Sequence, residues 1–157
     1  MTEFDHLTDV VVVGSGSAGM VAALAARENG LESLIIESTE FIGGNSAISG
    51  GGLWIPGNHI VTQKGLDSAD DARTYFNWCL DNTDHPSAPG PASTPERRES
   101  FLRNGPEMVK WLEDIGMEWH YGKGYSDYYP EAPGGKPQGR GLEAKKFDSK
   151  RLGVWAD

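Results

Sequence analysis

A single cysteine, Cys79, stands among the 157 residues. One thiol cannot form an internal disulfide, and it excludes multi-cysteine metal sites and iron–sulfur clusters. The compartment expected from this is a reducing one, the cytoplasm. Histidine is sparse as well. His6, His59, His85 and His120 are scattered without ligand spacing, so no metal site is expected. Basic residues are few: 14 Lys and Arg stand against 23 Asp and Glu, a formal net charge of −9. Residues 1–100 hold five basic and fourteen acidic side chains, whereas residues 101–157 hold nine of each. With no strongly basic segment, the chain has no electrostatic grip for nucleic acid or anionic lipid, and no nucleic-acid partner is expected. No apolar run reaches the ~20 residues of a membrane span. The uncharged stretch Val10–Ala26 comes nearest. Glu3, Asp5 and Asp9 precede it, no Lys or Arg does, and Gly14, Gly16 and Gly19 interrupt it. It is therefore neither a secretion signal nor an integral membrane segment.

Glycine is what the chain has in quantity: 21 residues, with nine prolines beside them. The glycines cluster at 14–19, 43–52 and 122–141, so they are local devices. With 38% hydrophobic residues, the composition is that of a turn-rich folded domain. A chain of this length is enough for one core.

The run Asp9–Val13 (DVVVV) predicts a strand buried on both faces, as in a parallel sheet. A glycine turn follows, then an Ala-rich helix over Met20–Asn29 closed by Gly30. Leu31–Glu37 predicts a second strand, which completes one βαβ unit with a right-handed crossover. Ser38–Pro56 shows neither helical nor strand period. Ser68–Asn82 predicts a helix, with Ser68 as N-cap and Asp71 at its third position. Thr83–Thr94, with three prolines, predicts a surface loop. Thr94-Pro95 opens another helix, which Gly105-Pro106 is expected to break before a further short helix ends near Gly116. A brief strand is expected over Met117–Tyr121, and mostly loop from Gly122 to Gly153.

Gly14, Gly16 and Gly19 fit the pattern GxGxxG between strand and helix, and Glu37 ends the next strand. Each part has a physical task. Gly14 permits the tight turn, Gly16 lets the backbone approach a pyrophosphate, and Gly19 lets helix and strand pack closely. Backbone N–H groups from Ser15, Ser17 and Ala18 at the helix start would meet the phosphates. Glu37, beside Ser38, would accept hydrogen bonds from ribose hydroxyls. This unit alone does not separate a nicotinamide from a flavin dinucleotide. The segment after it does: Gly43, Gly44, Asn45 and Ser46, then Ser49, Gly50, Gly51 and Gly52. Its exposed amides and hydroxyls suit the carbonyl edge and diphosphate of a flat, polar-edged flavin. Trp54 can pack beside such a ring or in a core. Arg140 can bind an anion, but reads by default as a solvated loop arginine.

The stretch Gly43–Asn58 (GGNSAISGGGLWIPGN) resembles the flavoprotein family of fumarate reductase, succinate dehydrogenase and the 3-ketosteroid dehydrogenases, most closely the ketosteroid branch. Tyr125-Ser126-Asp127-Tyr128-Tyr129 resembles that branch's PDYY segment, with Ser126 in place of its proline. Gly139–Glu143 (GRGLE) and Phe147-Asp148 resemble two further segments. The resemblance covers nearly the whole chain and implies an α/β, Rossmann-like FAD-binding domain with an incomplete parallel sheet and a helical, loop-rich insertion. On this reading residues 1–157 are the N-terminal part of that domain. Residues 1–58 are the βαβ unit plus the flavin-binding glycine segment, and residues 59–157 the helices and an active-site loop.

The resemblance also implies the chemistry. FAD takes a hydride from one ring carbon of a steroid-like ketone while a tyrosine removes a proton from its neighbour, and an electron acceptor reoxidises the flavin. Tyr128 matches the active-site tyrosine that supports the base, which itself comes from later in such chains. Succinate dehydrogenase-type members carry a flavin-bonding histidine in the segment matching 43–52; none is present here, so FAD is expected to be non-covalent. The alternatives are a fumarate reductase-like enzyme and an inactive FAD-binding fragment.

Overall fold

The computed structural model describes residues 4–81 and 93–155. It divides into two compact units, Met1–Gly51 and Gly52–Asp157. Asn82 and most of the proline-rich stretch, 83–92, lie outside the described residues.

The first unit is the βαβ element. Strand β1 (Val10–Val13) pairs in parallel with β2 (Ser33–Ile36), Val10 opposite Ser33 and Val13 opposite Ile36. Between them runs α1 (Ser17–Glu28), starting three residues earlier than the alanine pattern suggests. Its end is set by Gly30, at φ 74°, where only glycine is unstrained. That conformation lets the N–H of Leu31 reach the carbonyl of Ala26 at 3.0 Å, a Schellman closure. Burial on both faces of β1 is not observed. Val12 is buried, but Val11 and Val13 are exposed, as are Leu34 and Ile36. The residues carry the pattern of a covered strand, and among the described residues of this unit none covers that face. A one-turn helix, α2 (Gly44–Ala47), interrupts the glycine segment expected to be irregular.

The second unit packs helices against a small antiparallel sheet in the order β3 (Gly52–Trp54), β5 (Gly141–Ala144), β4 (Trp119–Tyr121). The central strand β5 sits inside the stretch expected to be loop. It is short and only half apolar, so its partners rather than its own period define it. A 3₁₀ segment, Ser149–Trp155, also falls there. Helix α3 (His59–Thr62) is capped by Asn58, whose Oδ1 accepts from the N–H groups of Ile60 and Val61. Helix α4 (Ala69–Asp81) begins where the Ser68 hydroxyl accepts from Asp71 N–H at 3.1 Å.

Helix α5 (Pro95–Asp114) differs from expectation, because it runs unbroken through Gly105-Pro106. Proline removes one N–H from the ladder, which ordinarily kinks or ends a helix. Here packing holds both halves in line. A Cβ on Gly105 would sit 3.1 Å from Ile55 Cγ2, so the helix backbone lies close against Ile55. Beyond the proline, Val109 and Leu112 are buried. The indole N–H of Trp119 donates to the Val109 carbonyl at 3.1 Å.

Leu142, fully buried in the central strand, holds this packing together. Leu142→Ala should destabilise the protein by about 2–5 kcal/mol, the range for a buried leucine left as a cavity. Urea unfolding followed by tryptophan fluorescence measures this.

Candidate functional site

In the first unit the phosphate-type turn is built from Gly14 to Gly19. Gly14 has φ 93° and its N–H bonds the Ile36 carbonyl at 2.8 Å, so the turn starts in a conformation reserved for glycine. A Cβ on Gly19 would overlap the Gly14 carbonyl oxygen, and it would lie 3.1 Å from Val12 Cγ1. Gly19 is thus the point where helix and strand touch. Gly16 differs, since the nearest atom to a Cβ there is Ser46 Oγ at 3.7 Å. The protein itself leaves that space open.

The donors at this turn divide into used and free. Ser17 N–H donates to Ser46 Oγ at 3.0 Å. Ser15 N–H and Ser15 Oγ both donate to Glu37 Oε2, at 3.0 and 2.6 Å. Among the described residues the N–H groups of Gly16, Ala18 and Gly19 have no protein acceptor. Three free amides at the positive end of a helix, with open space before them, are the donor set of a diphosphate site. Among the described residues no side-chain cation hydrogen-bonds at this turn, so the residues fit a dinucleotide held by backbone.

Glu37 does more than the ribose role assigns to it. Its Oε2 binds Ser15, and its Oε1 accepts from the N–H groups of Ser38 at 2.7 Å and Thr39 at 3.2 Å. These bonds, the Ser15 hydroxyl foremost, lower its carboxyl from the ordinary 4.5 to about 2. The buried Ser15 hydroxyl also accepts from Gly43 N–H at 2.8 Å. One serine therefore ties the turn, the end of β2 and the glycine segment together, a role that spacing alone does not reveal. Gly43 has φ 103°, and a Cβ on Gly44 would lie 3.8 Å from Gly16 Cα. Ser49 Oγ bridges the Ser46 carbonyl and Gly51 N–H. Asn45 and Gly50 are exposed. Gly52 opens β3 in the second unit, paired with Glu143.

In the second unit, Tyr128 stands 97% exposed between two anchored neighbours. On one side Asp127 is buried. Its Oδ1 accepts from the Trp54 indole N–H at 2.9 Å, and its Oδ2 accepts from Arg140 Nε and Nη2 at 3.0 and 2.7 Å and from Lys136 N–H at 2.9 Å. On the other side, Tyr129 N–H donates to the Tyr75 hydroxyl at 3.1 Å. Burial pushes the Tyr75 phenol up to about 12. Arg140 is the correction here. It is wholly buried, and its Nη1 also donates to Asp67 Oδ1 at 3.0 Å. It lies against the rings of Trp54 and Tyr75, 5.8 and 5.1 Å from their centroids. Trp54 in turn stacks on Phe101 at 6.4 Å, so it packs within the second unit.

Among the described residues, no group of three or more His, Cys, Asp or Glu side chains is placed to hold a metal ion. Among them, too, no helix is long and apolar enough to cross a membrane.

A parallel strand pair joined by a glycine turn with free amides, and an acidic residue closing the second strand, define the class: a dinucleotide-binding βαβ unit. Comparison with known proteins narrows it. The FAD binding domain family matches residues 9–156, and the chain belongs to that family. The cofactor is FAD. The chain is 45% identical over 148 residues to a 3-oxosteroid 1-dehydrogenase of Mycobacterium tuberculosis, covering 93% of this chain and 25% of that protein. It is 36% identical over 146 residues to a 4-oxocyclohex-2-ene-1-carboxylate 5-dehydrogenase of Sinomonas cyclohexanicum, covering 92% and 23%. Among solved structures it resembles the 3-ketosteroid delta1-dehydrogenase of Sterolibacterium denitrificans in complex with 1,4-androstadiene-3,17-dione. That match has a TM-score of 0.81 and 35% identity, over 95% of this chain and 25% of that one. The chain thus spans about a quarter of the length of the curated relatives it matches.

The geometry separates two glycine roles. Gly19→Ala should prevent the turn from forming, because the new methyl meets backbone. Gly16→Val should leave the fold intact and abolish FAD retention, because its side chain occupies only the open space. FAD absorbance per folded full-length protein measures both, and a fully yellow Gly16→Val protein would show that the phosphates lie elsewhere. The lowered carboxyl of Glu37 gives a sign for pH. Its contacts are complete above the ordinary carboxylate range and are lost only as pH falls through about 2. Glu37→Gln removes the anion at every pH and should weaken FAD ~10-fold or more at neutrality. Titration of the apo-protein with FAD tests it.

Proposed function

We propose that this chain is the N-terminal part of an FAD-dependent dehydrogenase that acts on a CH–CH bond next to the carbonyl of a 3-ketosteroid or similar cyclic ketone. Within it, residues 1–58 form the dinucleotide-binding βαβ unit and flavin segment, and residues 59–157 carry the helices and the active-site loop. FAD is held without a covalent bond, by the amides of Gly16, Ala18 and Gly19, with Glu37 toward the ribose. Gly43–Gly52 lies toward the flavin. The exposed faces of β1 and β2 support the view that further chain completes the sheet.

The observation that carries the substrate reading is Tyr128, a fully presented phenol on an anchored loop. A tyrosine in a slack loop would have no fixed direction, whereas Tyr128 stands between the anchored Asp127 and Tyr129. When bound, FAD supplies the hydride acceptor. The proton on the carbon α to the ketone is the acidic one, and its removal together with the neighbouring hydride leaves a carbon–carbon double bond conjugated to the carbonyl. The Tyr128 hydroxyl supports the tyrosine base that takes this proton, which comes from later in the chain. An electron acceptor then restores the oxidised enzyme.

Tyr128→Phe keeps the ring and removes only the hydroxyl. In the full-length enzyme it should leave FAD content unchanged and lower turnover ~10²-fold or more, as expected for an acid–base group. Tyr125→Phe and Tyr129→Phe should cost less. The rate of anaerobic flavin bleaching by androst-4-ene-3,17-dione measures it, and a wild-type rate in Tyr128→Phe would leave that residue without a catalytic part. The competing fumarate reductase-like reading requires instead that fumarate oxidise the reduced flavin and that no ketosteroid bleach it.

A further inference from the structure

We propose that Asp127 is a positioning residue for Tyr128, clamped by Arg140, and that Arg140 and Asp67 exist in this fold to hold it. The proposal rests on the active-site reading of Tyr128 given above.

The loop from Gly122 to Arg140 contains no regular element and lies at the surface for much of its length. Such a segment ordinarily samples many conformations, and a residue at its tip has no defined direction. This loop is instead wound around one carboxylate. Asp127 receives four hydrogen bonds, from Trp54 on β3, from Lys136 N–H across the loop, and two from Arg140 at its far end. Its own N–H donates to the Lys136 carbonyl at 3.1 Å, which closes the loop on itself. Arg140 cannot shift to follow Asp127, because its Nη1 holds Asp67 and its Nη2, besides binding Asp127, donates to the Gly134 carbonyl. The carboxylate is therefore fixed from three directions.

The consequence falls on the next residue. Asp127 fixes the backbone before Tyr128, and the Tyr75 hydroxyl fixes the N–H after it. Tyr128 makes no such contact of its own. Its phenol projects from a backbone held on both sides, which is what a group needs when its hydroxyl must meet another residue at hydrogen-bond distance. The chemistry of the clamp also explains the choice of arginine. A guanidinium presents a planar fork that can bind two carboxylates and a carbonyl at once, whereas an ammonium is a single point.

Asp127→Asn is the sharpest test, because it keeps the shape and removes the charge. In the full-length protein, FAD content should be unchanged. Amide hydrogen exchange in peptides spanning 125–139 should quicken ~10-fold or more while α5 stays protected. Turnover of androst-4-ene-3,17-dione should fall ~10-fold or more in kcat, the scale on which a misplaced group slows a reaction. In a Tyr128→Phe background the same change should cost less than ~3-fold, since there is no hydroxyl left to misplace. If Asp127→Asn does not accumulate as folded protein, Arg140→Lys carries the same three readouts. An unchanged kcat, or an equal loss with and without the Tyr128 hydroxyl, overturns the positioning role and leaves the active-site reading standing. A wild-type rate in Tyr128→Phe alone overturns both.

Discussion

The second unit depends on one buried cation. Arg140 has no exposed surface, and a guanidinium in that position is tolerable only if its charge and its N–H groups are matched. Asp67 and Asp127 supply the charge, and the Gly134 carbonyl takes a further N–H. These partners come from the turn before α4 and from the loop before β5, so forming the ion pairs brings distant chain segments to a single point. The cost of leaving any of them out is high. Breaking a buried pair typically costs about 3–5 kcal/mol, because the remaining charge stays behind without its partner. The arrangement is all-or-none in this sense, and it makes an irregular loop behave as a rigid one.

The first unit uses the same device on a smaller scale and without a cation. Glu37 is an anion whose charge is balanced by the hydroxyls and N–H groups of Ser15, Ser38 and Thr39. The Ser15 hydroxyl passes the tie on to Gly43. The glycine turn and the glycine segment are thus set against each other by protein contacts alone. Flexible residues are held in a defined shape, and the free amides of Gly16, Ala18 and Gly19 point from a frame already formed. A ligand that meets such a frame does not have to order it.

What could be read in advance followed the range of the forces involved. The turn was legible because Gly14 and Gly19 answer to local demands, a positive φ and a backbone contact five residues away. The caps at Ser68 and Thr94 were legible for the same reason. Helix α5 passes through Pro106 against its local signal, because the packing of Gly105 on Ile55 outweighs a local breaker and lies 50 residues away in the chain. Arg140 departs further from its local signal. Nothing in Gly139-Arg140-Gly141 distinguishes a buried arginine from a solvated one, and its two carboxylates lie 13 and 73 residues before it. One signal was present in principle: the glycine at 139, where a Cβ would overlap the Tyr125 carbonyl, marks a chain crossing too tight for a side chain. The burial of β1 was overestimated for a different reason. Its residues are those of a covered strand, but cover is supplied by neighbours, and the sequence of a strand cannot say where they are.

A common pattern joins the two units. In each, charged side chains saturated with hydrogen bonds serve as fasteners, Glu37 in one and the buried Asp67, Asp127 and Arg140 in the other. The amides at the helix start, the hydroxyls and amides along the glycine segment and the phenol of Tyr128 carry no formal charge. For a diphosphate, amides at a helix end already supply the favourable potential. The acidic excess of the chain is compatible with this division, because the acids that matter most for shape are the ones already saturated with donors. The effectiveness of such neutral groups depends on direction, and direction is what the hydrogen-bonded charges provide.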